Sequence, residues 1–261
     1  MAEAESAHDL ILRSAAHQGL SYALACQGEV SAARRAAEVT LECAAELGEM
    51  FIGTGYMALG IAALAAGDAQ AAHDAGEAAV GHFSVAQPQL ATVMRSVMAQ
   101  AAVAGGDLIG ARRWADEAVS VATGWHLVLS LTPRARVATA LGEREEAERD
   151  IQGALACAAD FGASLEVPDI LECIADLARA AGSHHEAARL FGATQAARVR
   201  MGAVRFKVWD AGYEASVAEV RDALGDKDFD SAWAEGAALS TEEAVAYAQR
   251  GRGQRERPTS G

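Results

Sequence analysis

The chain has 261 residues, 51% of them hydrophobic, enough to bury a sizeable core. Its 36 acids against 22 bases leave a net charge of −14, which repels a phosphate backbone, so nucleic acid is not an expected partner of this chain alone. No GxxxxGK[ST], HExxH, GxSxG, HRD or dinucleotide-binding fingerprint is present, so no catalytic residue, cofactor or metal is assigned and the expected activity is not enzymatic.

Few prolines among abundant alanine, arginine and glutamate predict an all-α chain. In order, helices are expected over about 5–27 and 30–47, then 51–66 and 69–85. Pro88 opens a third pair, as proline is tolerated in a helix's first turn, and its second helix covers about 108–123. A fourth pair covers 125–141 and 144–161. Its first member contains Thr132-Pro133, so a break is expected there, with either a kink or a new start capped by Thr132. Pro168 opens the fifth pair, whose second helix covers 184–201. Three further helices, about 207–224, 227–235 and 241–250, should close the exposed end of the core. Ser240 to Glu243 has the form of a capping box.

One phrase punctuates this order. Gly28, Gly67, Gly106, Gly142 and Gly182 are each followed by an acid or serine (Glu29, Asp68, Asp107, Glu143, Ser183). Five residues beyond each glycine stands an alanine: Ala33, Ala72, Ala111, Ala147 and Ala187. Seven further on is another small residue: Thr40, Ala79, Ala118, Ala154 and Thr194. Glycine supplies the left-handed closure of one helix, and the next residue is expected to cap the following one. Small residues two turns apart leave room for a neighbouring helix. Paired helices at a period of 36 to 40 residues indicate an α-solenoid of about five hairpins. The expected organisation is a helical-repeat solenoid over 1–202, a C-terminal helical cap over 203–250 and a flexible arginine-rich linker over 251–261.

Other features read as structural. Cys26, Cys43, Cys157 and Cys173 form no CxxC pair and are expected as buried free thiols. The acidic N-terminus is unlike a secretory signal, so the expected location is cytoplasmic. The uncharged run from Met50 to Gly67 approaches a membrane span in length, but its glycines and acidic flanks suit an interior helix, and no membrane association is expected. Arg34-Arg35 and Arg112-Arg113, with Arg149 and Arg189 at matching positions, could form an anion-binding stripe. Ordinary exposed pairs of Arg34 with Glu38, Arg112 with Asp116 and Arg113 with Glu117 are the favoured alternative. Asp169, Glu172 and Asp176 lie along one helix face and are expected to be solvated, and His184-His185 to be surface polar residues.

The glycine-to-alanine phrase, with Tyr56, Leu59 and Gly60 ahead of Gly67, resembles the tetratricopeptide repeat over about residues 5 to 202. That resemblance implies a groove lined by the first helix of each pair, holding a protein or peptide partner or a small-molecule effector. The groove residues it implies are Gln18 and Tyr22; Thr54 and Met57; Ser96 and Gln100; Thr132 and Arg136; and Asp169, Glu172 and Asp176. A second stretch runs from Ala187-Ala188-Arg189-Leu190-Phe191-Gly192-Ala193 through Tyr213, Arg221 to Gly225, Phe229, Trp233, Gly236 and Glu243-Ala244-Val245 to the arginines at 250, 252, 255 and 257. It is similar to the region preceding the DNA-binding domain of large LuxR-type regulators. That resemblance implies a sensory module attached to an ATPase and a helix-turn-helix domain, neither of which these residues contain. A free-standing adaptor working through the same groove is the alternative.

Overall fold

A computed structural model describes residues 2–83 and 87–255, with the side chains of 9–83 and 87–250. It contains thirteen α-helices among these residues and no strand. They are α1 (Ala2–Cys26), α2 (Val30–Leu47), α3 (Glu49–Ala66), α4 (Ala69–Phe83), α5 (Pro88–Ala104), α6 (Leu108–Val121), α7 (Trp125–Leu141), α8 (Arg144–Phe161), α9 (Val167–Ala180), α10 (His184–Met201), α11 (Asp210–Leu224), α12 (Asp226–Ala237) and α13 (Thr241–Arg255). A 3-10 turn, Lys207–Trp209, precedes α11. Part of the expected linker is therefore helical to Arg255, and its remainder, 256–261, lies outside the described residues.

The repeated phrase folds as one turn used five times. Gly28, Gly67, Gly106, Gly142 and Gly182 have φ between 75° and 81°. In each case the following amide donates to a carbonyl five residues back, as in Glu29 to Leu24 at 2.9 Å and Ser183 to Ala178 at 2.8 Å, which closes a Schellman motif. Each repeat alanine donates its amide to the residue just after the glycine, opening the next helix. All five alanines and all five small residues seven positions later are fully buried. The capping expectation holds only for the aspartates: Asp68 accepts from the amide of Ala71 at 3.0 Å and Asp107 from that of Gly110 at 2.9 Å. Glu29, Glu143 and Ser183 make no side-chain cap. For the two glutamates, the extra methylene carries the carboxylate past the amides that a short side chain reaches.

The helices divide into two compact units. Unit 1 comprises residues 1–122 with Val204–Trp209, and unit 2 comprises 123–203 with 210–261. In unit 1 the hairpins α1/α2, α3/α4 and α5/α6 stack in order, and the first helices also meet one another, α1 against α3 and α3 against α5. The first helices thus form a continuous face of that stack. Its interior is alanine with Leu64, Phe83, Met94 and Met98. Glycines set the spacing: a Cβ at Gly53 would stand 2.6 Å from the Phe83 ring, and one at Gly55 2.5 Å from the Cα of Leu41. These glycines lie on α3, the one described helix long and apolar enough to cross a membrane, and here they bring it into contact with α2 and α4.

In unit 2, α7/α8 and α9/α10 form two hairpins, α7 meets α9, and α11, α12 and α13 pack around α9 and α10. Gly192 of α10 faces the backbone of Trp233 and Gly236 of α12 faces that of Arg189, so these two helices cross with no room for a side chain at either glycine. Two expectations are corrected here. Helix α7 runs unbroken through Pro133, which is buried inside it. Thr132 caps nothing; its hydroxyl donates to the carbonyl of Val128 at 3.0 Å within the same helix. The C-terminal region begins with a separate 3-10 turn in place of a helix from Lys207. The capping box is present, Ser240 and Glu243 exchanging bonds of 2.8 and 3.1 Å.

Candidate functional site

Each unit presents its first helices as a candidate binding face. On unit 1, Gln18 and Tyr22 of α1 are half-buried. Thr54 of α3 is half-buried with its hydroxyl on the carbonyl of Phe51 at 2.7 Å, while Met57 is buried and belongs to the core. Ser96 of α5 is buried, its hydroxyl bonded to the carbonyl of Thr92 at 3.0 Å. Gln100 is half-buried and accepts a 3.3 Å hydrogen bond from the indole of Trp209. Unit 1 therefore brings Gln100 together with a segment far along the chain, from 204 to 209, and places Met57 and Ser96 in the interior.

That segment is seated at several points. The amide of Val204 donates to the carbonyl of Cys26 at 2.7 Å, and the Val204 side chain lies against the turn glycine Gly28. Phe206 packs on a floor of Ala25, Ala33, Ala62 and Ala65, flanked by Leu24 and Ile61. Lys207 lies over Gly67, with its Cβ 3.2 Å from where a Cβ of that glycine would be.

On unit 2 the structure brings together three of the sequence-selected residues, Arg136, Asp169 and Glu172. Arg136 of α7 reaches Glu172 at 3.4 Å and Asp169 at 3.6 Å, both on α9. Arg198 of α10, which no sequence pattern singled out, reaches Asp169 at 2.8 Å and Glu172 at 3.2 Å. Two guanidinium groups and two carboxylates form a balanced cluster, in which Glu172 is 1% and Arg198 5% exposed while Asp169 opens to solvent. Asp176 pairs along its own helix with Arg179 at 3.2 Å. The expected solvated acidic face is thus corrected at Glu172: it stands between the buried Leu171 and Cys173, faces inward and requires a buried countercharge, while Asp169 and Asp176 stay partly exposed. That pattern is the signal in the sequence from which this cluster could have been inferred. Thr132 is buried within α7.

Burial disfavours charge on Arg136, and the electrostatic influence of Cys173, Glu172, Asp169 and Asp176 outweighs it, holding the guanidinium above its ordinary value. Arg198 is likewise raised, with Asp169 and Glu172 overcoming burial. The Cys173 thiol is pushed up to about 12 by burial, against the pull of Arg136. A second pair, the half-buried Arg134 with the buried Asp150 at 2.6 and 2.7 Å, joins α7 to α8 in bidentate geometry.

The remaining candidates are accounted for as follows. Arg34 pairs with Glu38 at 3.1 Å and Arg112 with Asp116 at 2.8 Å, but Glu117 pairs with Arg95 at 3.3 Å while Arg113 lies over the Trp114 ring. Arg189 is drawn to Glu235 and to the Tyr247 ring, where His185 and Asp228 complete a polar cleft. The cysteines are free thiols, with Cys43 and Cys173 buried and Cys26 and Cys157 half-buried. Among the described residues no group of metal-ligating side chains converges.

No family model matches the chain. Its whole length is similar to a segment of three mycobacterial proteins, each named as a candidate HTH-type transcriptional regulator. They come from Mycobacterium tuberculosis strain H37Rv, Mycobacterium tuberculosis strain CDC 1551 and Mycobacterium bovis, and each is 50% identical over 260 residues. The match covers 100% of this chain and 29% of each relative, so the chain spans less than a third of the length of these curated relatives.

Proposed function

We propose that this chain is the helical-repeat module of a LuxR-type transcriptional regulator and works by binding, not by catalysis. The observation that carries the reading is the end-to-end similarity to a segment of proteins named as regulators, joined to hairpins whose first helices lie side by side as in tetratricopeptide arrays. In this role a protein, peptide or small-molecule effector binds the first-helix faces, and the bound state biases the attached ATPase and helix-turn-helix domains. The chain itself, at a net charge of −14, contributes no DNA contact. A cytoplasmic location follows from the same role.

The test is a promoter reporter driven by a regulator carrying this segment. Gln18→Ala with Tyr22→Ala on unit 1, and Asp169→Asn on unit 2, should each weaken the response to inducing conditions while operator binding by the purified protein is unchanged. A response equal to the unsubstituted regulator in both variants overturns the reading.

A further inference from the structure

We propose that residues 204–209 are a built-in occupant of the unit 1 binding face, held where a short peptide ending in a 3-10 turn, with two aromatics three residues apart and bases beside the first of them, would bind. The proposal rests on the reading of that face as a binding surface, but not on the DNA-binding parent.

The segment crosses all three hairpins of unit 1. Val204 joins the end of α1 through Cys26, Phe206 stands on the alanine floor of α1, α2 and α3, Lys207 lies over the turn after α3, and Trp209 bonds Gln100 of α5. Small residues make this possible. Ala33, one of the repeat alanines, and Ala62 leave an aromatic-sized space, and Gly28 and Gly67 let the segment approach the turns. At Gly106, Gly142 and Gly182, the other three turn glycines, an added Cβ would meet no atom within 4 Å. Two of five identical turns thus carry a passenger.

The way it is seated allows release. Val204 is 44% exposed, Lys207 is exposed and the other four residues are half-buried, so the segment lies shallowly on unit 1, held by the Val204 amide, the Phe206 ring and the Trp209 indole. Arg205 and Lys207 bring positive charge onto a strongly acidic chain, which gives a basic peptide an electrostatic reason to compete. The chain leaves unit 2 after Ala203 and returns to it at Asp210. Displacement therefore converts a seated connection between α10 and α11 into a free one, which is a route from binding on one unit to order in the other.

The test uses the full chain and a fluorescent synthetic peptide of residues 203–210. Fluorescence anisotropy should show the peptide binding the Phe206→Ala/Trp209→Ala chain at least tenfold more tightly than the unsubstituted chain. A control peptide lacking both aromatics should bind neither. Absence of peptide binding to the substituted chain, or equal binding to both chains, overturns the proposal. If circular dichroism shows the double variant unfolded, Trp209→Ala alone, which removes one half-buried anchor, should bind the peptide at least threefold more tightly than the unsubstituted chain, and no gain overturns it. Failure here with the reporter test above intact would discard the occupant while retaining the module.

Discussion

The two units share one turn and differ in what they bury. In unit 1 every buried polar side chain among the described residues is a hydroxyl: Ser14, Ser21, Thr40, Thr92 and Ser96. Thr40, Thr92 and Ser96 donate to carbonyls of their own helices, as Thr40 does to Ala36 at 2.9 Å, and Ser21 of α1 donates to Ala33 of α2 at 2.9 Å. Unit 2 buries Glu148, Asp150, Glu172, Glu186 and Arg198. Charges inside a fold need partners from other helices, so unit 2 is held in one arrangement by specific pairs, whereas unit 1 is held by the close approach of small residues. The difference teaches that the repeated phrase sets the hairpin and its spacing, and leaves the chemistry between hairpins free to vary.

The largest expected effect breaks the charged interior. Glu172→Ala leaves Arg136 and Arg198 buried with Asp169 as their shared partner, and should cost about 3–5 kcal/mol in urea denaturation. A smaller effect probes the packed interior of unit 1. A Cβ at Gly76 on α4 would stand 2.5 Å from the Cγ of Met98, and overpacking of about 1–3 kcal/mol outweighs the gain in helix propensity of up to about 1 kcal/mol. Gly81, on the same helix, meets nothing within 4 Å, so Gly81→Ala should stabilise by about 0.5 kcal/mol. Opposite signs from the same substitution on one helix isolate packing from propensity.

Alkaline pH separates the units again. The folded-state pKa of the Cys173 thiol is raised above its unfolded value, so the folded protein keeps a proton that the unfolded chain releases. Its contribution is fully present below about pH 9 and is lost as pH rises towards 12, at up to about 1.4 kcal/mol per pH unit. Thermal melts at pH 8 and 10 should show a drop in the unsubstituted chain that Cys173→Ala reduces. The smallest effect is expected at the surface of unit 1, where Arg34→Ala, which removes the exposed pair with Glu38, should change stability by less than about 0.5 kcal/mol.

The hairpins were legible because their signals are local. Three second helices, Val30–Leu47, Arg144–Phe161 and His184–Met201, begin and end where glycine and its follower predict. The candidate site was legible only in part. Glu172 and Arg136 were selected, but their contact spans 36 residues and that with Arg198 spans 26, so no periodicity within a helix links them. Trp209 and Gln100 are 109 residues apart, and the segment between α10 and α11 carries no repeat that would announce a contact with unit 1. Pro133 was misjudged because the cost of a proline in mid-helix is set by the packing around it, which lies outside the local sequence.

The most direct measurement of the central claim is a deletion in a regulator that carries this segment. Removing the part equivalent to residues 1–202 should abolish the response of its promoter reporter to inducing conditions, while the purified protein still binds its operator. A reporter response unchanged by that deletion would contradict the account.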